Sequence, residues 1–226
     1  MLDVSLKKEI GTLKIDIGFK IERPMISVVF GKSGAGKTTL ANMLSGLVRP
    51  QSGHILFKGA AFFDSSKGID LPPERLGIGY VFQEHRLFPH MSVKRNLTFG
   101  QFPGKRKSRM DFSKIVDLFA IGHLLDRHPE TLSGGESQRA ALGRAFACTS
   151  FLIMDEPLSS LDNEIKNGLI DYIALIPDNF SIPLIYITHS IYEVSRLAER
   201  VLEIDGGKLI SSGDPGAILK QGYTDL

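Results

Sequence analysis

The chain has 226 residues, 42% hydrophobic and 23% charged, a balance that fills a globular core and excludes disorder for most of its length. Its formal charge is +2, so no nucleic-acid partner is expected on electrostatic grounds. Cys148 is the single cysteine, which excludes an intrachain disulfide and favours a reducing compartment. The apolar runs, such as residues 26–30 and 151–154, fall well short of the roughly 18 residues of a membrane helix, and residues 1–5 lack the blocks of a secretion signal. A cytoplasmic protein that reaches any membrane through a partner is the expectation.

Residues 13–19 alternate with period two, and residues 25–30 form a short apolar run ending at Gly31, as a buried parallel strand does. Leu40, Met43, Leu44 and Leu47 then recur along one face of a helix, which Pro50 and Gly53 stop. Residues 54–57 and 61–63 flank Lys58-Gly59-Ala60 as a small hairpin, and residues 78–82 read as another strand. From about Glu84 to His128 the strand signal disappears. Ile115, Val116, Leu118 and Phe119 indicate a helix there, so the stretch reads as a helical insertion. Residues 151–154 and 182–188 are central strands covered on both faces, and Ile165, Leu169, Ile173 and Ile176 mark a helix of about three turns between them. Residues 201–204 and 208–211 flank Asp205-Gly206-Gly207, a hairpin turn. The pattern is α/β with a mostly parallel sheet, whose ligands sit at the carboxyl ends of strands.

Directly after the strand at 25–30 comes Gly31-Lys32-Ser33-Gly34-Ala35-Gly36-Lys37-Thr38-Thr39. The glycines let successive backbone N–H groups point into one concavity, and the positive end of the following helix faces whatever anion lies there. Such a loop holds the phosphates of a nucleotide: Lys37 reaches the β- and γ-phosphates, and the Thr38 hydroxyl is a hard ligand for Mg²⁺. Phe151-Leu152-Ile153-Met154-Asp155-Glu156 ends an apolar strand in two carboxylates. Asp155 is the second candidate for Mg²⁺, and Glu156 is placed to orient or deprotonate the attacking water.

Leu132-Ser133-Gly134-Gly135-Glu136-Ser137-Gln138-Arg139 is a second anion cradle, a serine and two glycines opening a helix with an acid in its first turn. It resembles the signature of ATP-binding-cassette (ABC) ATPases, the nucleotide-binding subunits of membrane transporters, and the resemblance runs from Val4 to about Gly222. It implies a P-loop NTPase core (residues 1–83 and about 129–226) with an antiparallel β subdomain and a helical subdomain inserted at about 84–128. It also implies a head-to-tail homodimer holding two ATP molecules, each between one chain's phosphate loop and the other's Leu132, Ser133, Gly134, Gly135 and Glu136. Gln83 resembles the glutamine that touches Mg²⁺ and water and senses the transport partner. Asp162 matches the loop that crosses the dimer interface, and His189 the histidine that contacts the γ-phosphate. The family usually carries an adenine-stacking aromatic upstream of the phosphate loop; residues 1–18 hold none, and Phe19 reads as core.

Phe30-Gly31-Lys32-Ser33-Gly34-Ala35-Gly36-Lys37-Thr38, Lys67-Gly68-Ile69-Asp70-Leu71-Pro72-Pro73-Glu74-Arg75 and Gly79-Tyr80-Val81-Phe82-Gln83-Glu84-His85-Arg86-Leu87-Phe88-Pro89-His90 together resemble the ATPase subunits of bacterial molybdate importers. The resemblance implies a peripheral protein on the inner membrane face, bound to an integral permease dimer and served indirectly by a solute-binding protein. Many such subunits continue into an oxyanion-binding regulatory domain, which is not expected within these 226 residues. Importers of sulfate, tungstate, iron or thiamine are the alternatives, and a non-transport ABC ATPase acting on nucleic acid or ribosomes is the alternative of another class. Residues 84–100 are expected to dock the permease. The run Lys105-Arg106-Lys107-Ser108-Arg109 reads as a solvated face, with contact to anionic headgroups or the partner as its other reading.

Overall fold

A computed structural model describes residues 1–82, 87–99, 112–146, 149, 151–159, 161 and 163–222. Gln83, Cys148, Asp162 and the run 105–109 lie outside them. The chain divides into two compact units, residues 1–76 with 183–226, and residues 77–182.

In the first unit β1 (Leu2–Ile10), β2 (Leu13–Ile21), β3 (Ile26–Phe30), β4 (Ser52–Phe57), β5 (Ala60–Asp64), β6 (Ile69–Asp70), β9 (Leu184–Thr188), β10 (Arg200–Asp205) and β11 (Lys208–Gly213) line up as β6-β5-β4-β1-β2-β11-β10-β3-β9. Pairing is antiparallel from β6 through β2 and between β10 and β11. It is parallel where β3 lies between β10 and β9, and where β11 meets β2. The expected division into a parallel core and an antiparallel part is thus visible within one sheet. All five residues of both β3 and β9 are buried, so neither shows alternation.

Strand β1 was not among the expected elements, and its Leu2, Val4 and Leu6 are buried at alternate positions. On its outer face Lys7, Glu9 and Asp3 stand directly opposite Asp16, Lys14 and Lys20 of β2 and form three cross-strand ion pairs at 3.1, 3.5 and 2.9 Å. These specify register more than they stabilise. Phe19 is core, as expected.

The remaining elements of this unit are α1 (Lys37–Leu44), α2 (Pro73–Leu76), α8 (Ile191–Leu197) and α9 (Pro215–Gly222). Helix α1 stops earlier than its apolar pattern predicts: Gly46 takes φ 75°, which ends the helix in a left-handed turn, and Leu47 is left 52% exposed.

In the second unit β7 (Ile78–Val81) pairs in parallel with β8 (Phe151–Asp155). Helices α3 (Val93–Thr98), α4 (Phe112–Leu118), α5 (Gly134–Phe146), α6 (Asn163–Ala174) and α7 (Ile176–Phe180) belong to the same unit. Helices α3 and α4 lie in the described part of the stretch expected to be a helical insertion. Helix α5 packs closely because Gly143 has no side chain: a Cβ there would lie 2.7 Å from Leu97 and 3.1 Å from Ile121. The single helix expected through Ile176 is two, α6 and α7, since Pro177 in the first turn of α7 cannot continue a preceding helix.

Candidate functional site

The phosphate-binding loop leaves β3 between two neighbours of the same sheet. Phe30 pairs with Thr188 of β9 on one side and Glu203 of β10 on the other. Gly31 and His189 are therefore the next residues out of two adjacent parallel strands, and His189 is exposed there. Gly31 passes so near the Ile204 carbonyl that any side chain would strike it. Gly34, at φ 80° with open space around it, is required for its conformation alone.

The loop is tied down from behind. Ala35 N–H donates to Lys32 O at 3.2 Å, and Gly207 N–H of the β10–β11 turn donates to Ala35 O at 3.0 Å. That turn in turn accepts from Asp16 of β2 at 2.8 Å. Gly207 was read only as a turn former; its buttressing role follows from sheet order, which local sequence does not disclose.

Helix α1 starts at Lys37 after Gly36, with no side-chain cap and no acid in its first turn. A helix start of that kind attracts an anion. Lys37 is buried, and its Nζ donates to Gly31 O at 2.8 Å and Lys32 O at 3.0 Å. The ammonium is thus held inside the loop by neutral carbonyl oxygens, weaker partners than an anionic oxygen. Thr38 is exposed and Thr39 half-buried.

In the second unit Asp155 closes β8 and is buried, accepting from the Tyr80 hydroxyl at 3.3 Å. Tyr80 was missed as a site residue; it lies on β7 opposite Ile153, and only the pairing reveals it. Glu156 follows at φ 46°, a conformation uncommon outside glycine. Its carbonyl accepts from Ser159 N–H at 3.2 Å and Ser159 Oγ at 3.0 Å. Next to it, the buried Gln138 amide of α5 donates to Pro157 O at 2.6 Å.

The second cradle opens α5. Ser133 and Gly134 are exposed and Glu136 and Ser137 half-buried, while the buried Gly135 packs against Ile165 of α6, where a Cβ would lie 3.0 Å away. Glu136 lies 3.5 Å from Arg127 and 3.9 Å from His123. The Ser133 N–H above all, with the Ser133 hydroxyl, Arg127 and His123 behind it, holds the Glu136 carboxyl below the usual range, although burial pulls the other way. The spacing Ser-x-x-Glu at 133–136 announced this pair.

The structure brings Gly31 to Thr39 together with His189 in one unit, and Asp155, Glu156 and Leu132 to Glu136 in the other. Gln83 and Asp162 lie outside the described residues. Thr38 and Asp155 offer hard oxygens of the type Mg²⁺ takes. Among the described residues no group of three or more His, Cys, Asp or Glu side chains could hold a metal alone. None of their helices is long and apolar enough to cross a membrane.

A family model described as ABC transporter matches residues 15–159. The molybdenum import ATP-binding protein ModC of Brucella melitensis is 46% identical over 94% of this chain and 59% of that protein. Those of Paramagnetospirillum magneticum and Rhizobium meliloti are 46% and 43% identical over 96% and 98% of this chain, and 62% of each protein. The chain thus spans about three fifths of the length of these curated relatives. Among solved structures, cbiO1 of Clostridium perfringens, part of the ABC transporter complex cbiONQ, superposes with a TM-score of 0.82 at 28% identity, covering 97% of this chain and 90% of that one. The bacterial ABC cassette MJ0796, solved as a dimer, gives 0.74 at 20% identity, over 95% and 99%, and speaks for the fold alone.

Proposed function

We propose, because the chain belongs to the ABC transporter family, that it is the ATP-hydrolysing subunit of an importer and that the imported oxyanion is molybdate. The observation that carries the ATP reading is the buried Lys37 ammonium, held by two loop carbonyls beneath an uncapped helix start. The three molybdenum importer proteins, 43–46% identical along nearly the whole chain, support the cargo.

In this reading the loop N–H groups from Gly31 to Thr39 receive the triphosphate, and Lys37 exchanges its carbonyl partners for β- and γ-phosphate oxygens. Thr38, Asp155 and Gln83 are the residues assigned to Mg²⁺, which when bound neutralises charge on the phosphates. Glu156 takes a proton from, or orients, the attacking water, and His189 touches the γ-phosphate. Ser133 and Gly134 act on the ATP of a second copy, with Asp162 at that interface, in a head-to-tail homodimer. The dimer works beneath a permease dimer on the inner membrane face, which a solute-binding protein supplies.

The test is uptake of labelled molybdate by cells carrying this chain and its permease, against the same cells with Lys37→Ala. Molybdate uptake that depends on Lys37 supports the reading. Lys37-dependent uptake of sulfate in place of molybdate refutes the cargo, and uptake indifferent to Lys37 refutes the ATPase.

A further inference from the structure

We infer that Glu193 is a positioning residue for His189, an inference that rests on the role just proposed for that histidine. Glu193, His189 and the residues that join them all belong to the first unit. Strand β9 ends at Thr188, His189 leaves the sheet beside Gly31, and Ser190 caps α8, its hydroxyl accepting from the Glu193 N–H at 3.3 Å. The Glu193 side chain turns back beneath this corner and is 4% exposed.

There its Oε2 accepts from the Thr188 hydroxyl at 2.7 Å and from the Tyr186 hydroxyl at 2.9 Å. The Thr188 hydroxyl oxygen meanwhile accepts from the Ser190 N–H at 3.0 Å. The residues on either side of His189 are thus joined through one hydroxyl to one buried carboxylate, and His189 is the exposed apex between them. Among the described residues no cation pairs with Glu193.

A carboxylate buried on hydroxyl donors alone contributes little that an apolar side chain of similar volume would not. What it does supply is direction. An ionised carboxylate only accepts, so both hydroxyl hydrogens must point at it. That leaves a lone pair of Thr188 Oγ1 facing the Ser190 N–H, which fixes the turn carrying the imidazole. The Ser-x-x-Glu spacing at 190–193 makes the helix cap legible, but not the second use of the same glutamate.

Glu193→Gln keeps the volume but exchanges the charged acceptor for an amide, whose oxygen is a weaker partner for the two hydroxyls that share Oε2. The test is steady-state ATP hydrolysis by the full chain, with Thr188→Val as a second way of breaking the link and Thr188→Ser as the conservative variant that keeps the hydroxyl. Glu193→Gln and Thr188→Val are expected to lower kcat about tenfold, with KM and ADP affinity within about twofold of wild type, and Thr188→Ser to restore turnover. In a His189→Ala background Glu193→Gln should cost nothing further, because it acts through the missing ring. An equal loss in both backgrounds, or wild-type kcat in both Glu193→Gln and Thr188→Val, overturns the proposal. Full turnover in His189→Ala overturns the role of His189 itself, and this inference with it.

Discussion

Ser133 and Glu136 cap α5 reciprocally: the Ser133 N–H donates to Glu136 Oε2 at 2.7 Å, and the Glu136 N–H donates to Ser133 Oγ at 3.3 Å. The serine hydroxyl oxygen therefore accepts from its own helix, while its proton is turned toward the Glu136 carboxylate it helps to hold low. The glutamate does the structural part. Removing it by Glu136→Ala should cost about 1 kcal/mol at neutral pH, read from urea melts. A carboxyl held low in the folded chain stabilises it above the unfolded value, near pH 4.3, and that contribution is lost as pH falls through the lowered folded value. The gap between wild type and Glu136→Ala should therefore close on acidification. A gap that stays constant well below that pH would show that the carboxylate charge is not its source.

Lys37→Ala should abolish ATP binding in a direct assay. It removes the buried cation of the phosphate loop, and charge-assisted contacts to phosphate are the strong ones. The fold should survive, since the backbone ties of the loop, Ala35 N–H to Lys32 O and Gly207 N–H to Ala35 O, are untouched by the substitution. ATP affinity within about threefold of wild type would move the nucleotide elsewhere.

Most of the proposed site is readable in the sequence because its chemistry is contiguous. Gly31 to Thr39, Asp155 with Glu156, and Leu132 to Glu136 are each one stretch of chain whose residue types imply their task. What the sequence hides is what arrives from other strands. Tyr80 reaches Asp155 only because β7 pairs with β8, and Gly207 supports Ala35 only because its turn lies behind the loop. The fold shows the same limit. Alternation at Leu2, Val4 and Leu6 was available in the sequence and went unread. The apolar positions Leu47 and Ile176 fit a helical period but lie beyond helices that Gly46 and Pro177 end, because periodicity does not register a local break.

The docking role expected of the segment after Gln83 makes a cross-linking prediction. Asn96, fully buried, receives the Phe88 N–H at 2.8 Å and donates to Phe88 O, Met91 O and Ser92 O at 3.1–3.2 Å. That holds residues 88–92 in one shape and leaves His90 exposed. Phe88 itself is committed to Phe99 and to the Arg144 guanidinium, 5.0 Å from its ring centre, so His90 is the better probe. His90→Cys should form a disulfide with a cysteine on a cytoplasmic helix of the permease. Cross-links arising only from residues 198–222 would refute this surface.

One variant tests both Glu156 and the dimer. Glu156→Gln keeps the size of the side chain and removes its basicity. It should retain ATP while losing turnover by roughly 10²–10⁴-fold, the usual reach of acid–base catalysis. Its left-handed backbone, held by Ser159, is unaffected by the change, so a loss of rate reports on the carboxylate. ATP that is bound but not cleaved should then hold two chains together, because a ligand that binds the dimer and not the monomer shifts the equilibrium by mass action. Gel filtration of Glu156→Gln with ATP and Mg²⁺ should show that dimer, and adding Ser133→Arg, which places a bulky cation at the α5 cap, should dissolve it. A Glu156→Gln chain that stays monomeric at saturating ATP counts against the sandwich, and one that hydrolyses at the wild-type rate removes Glu156 from the mechanism.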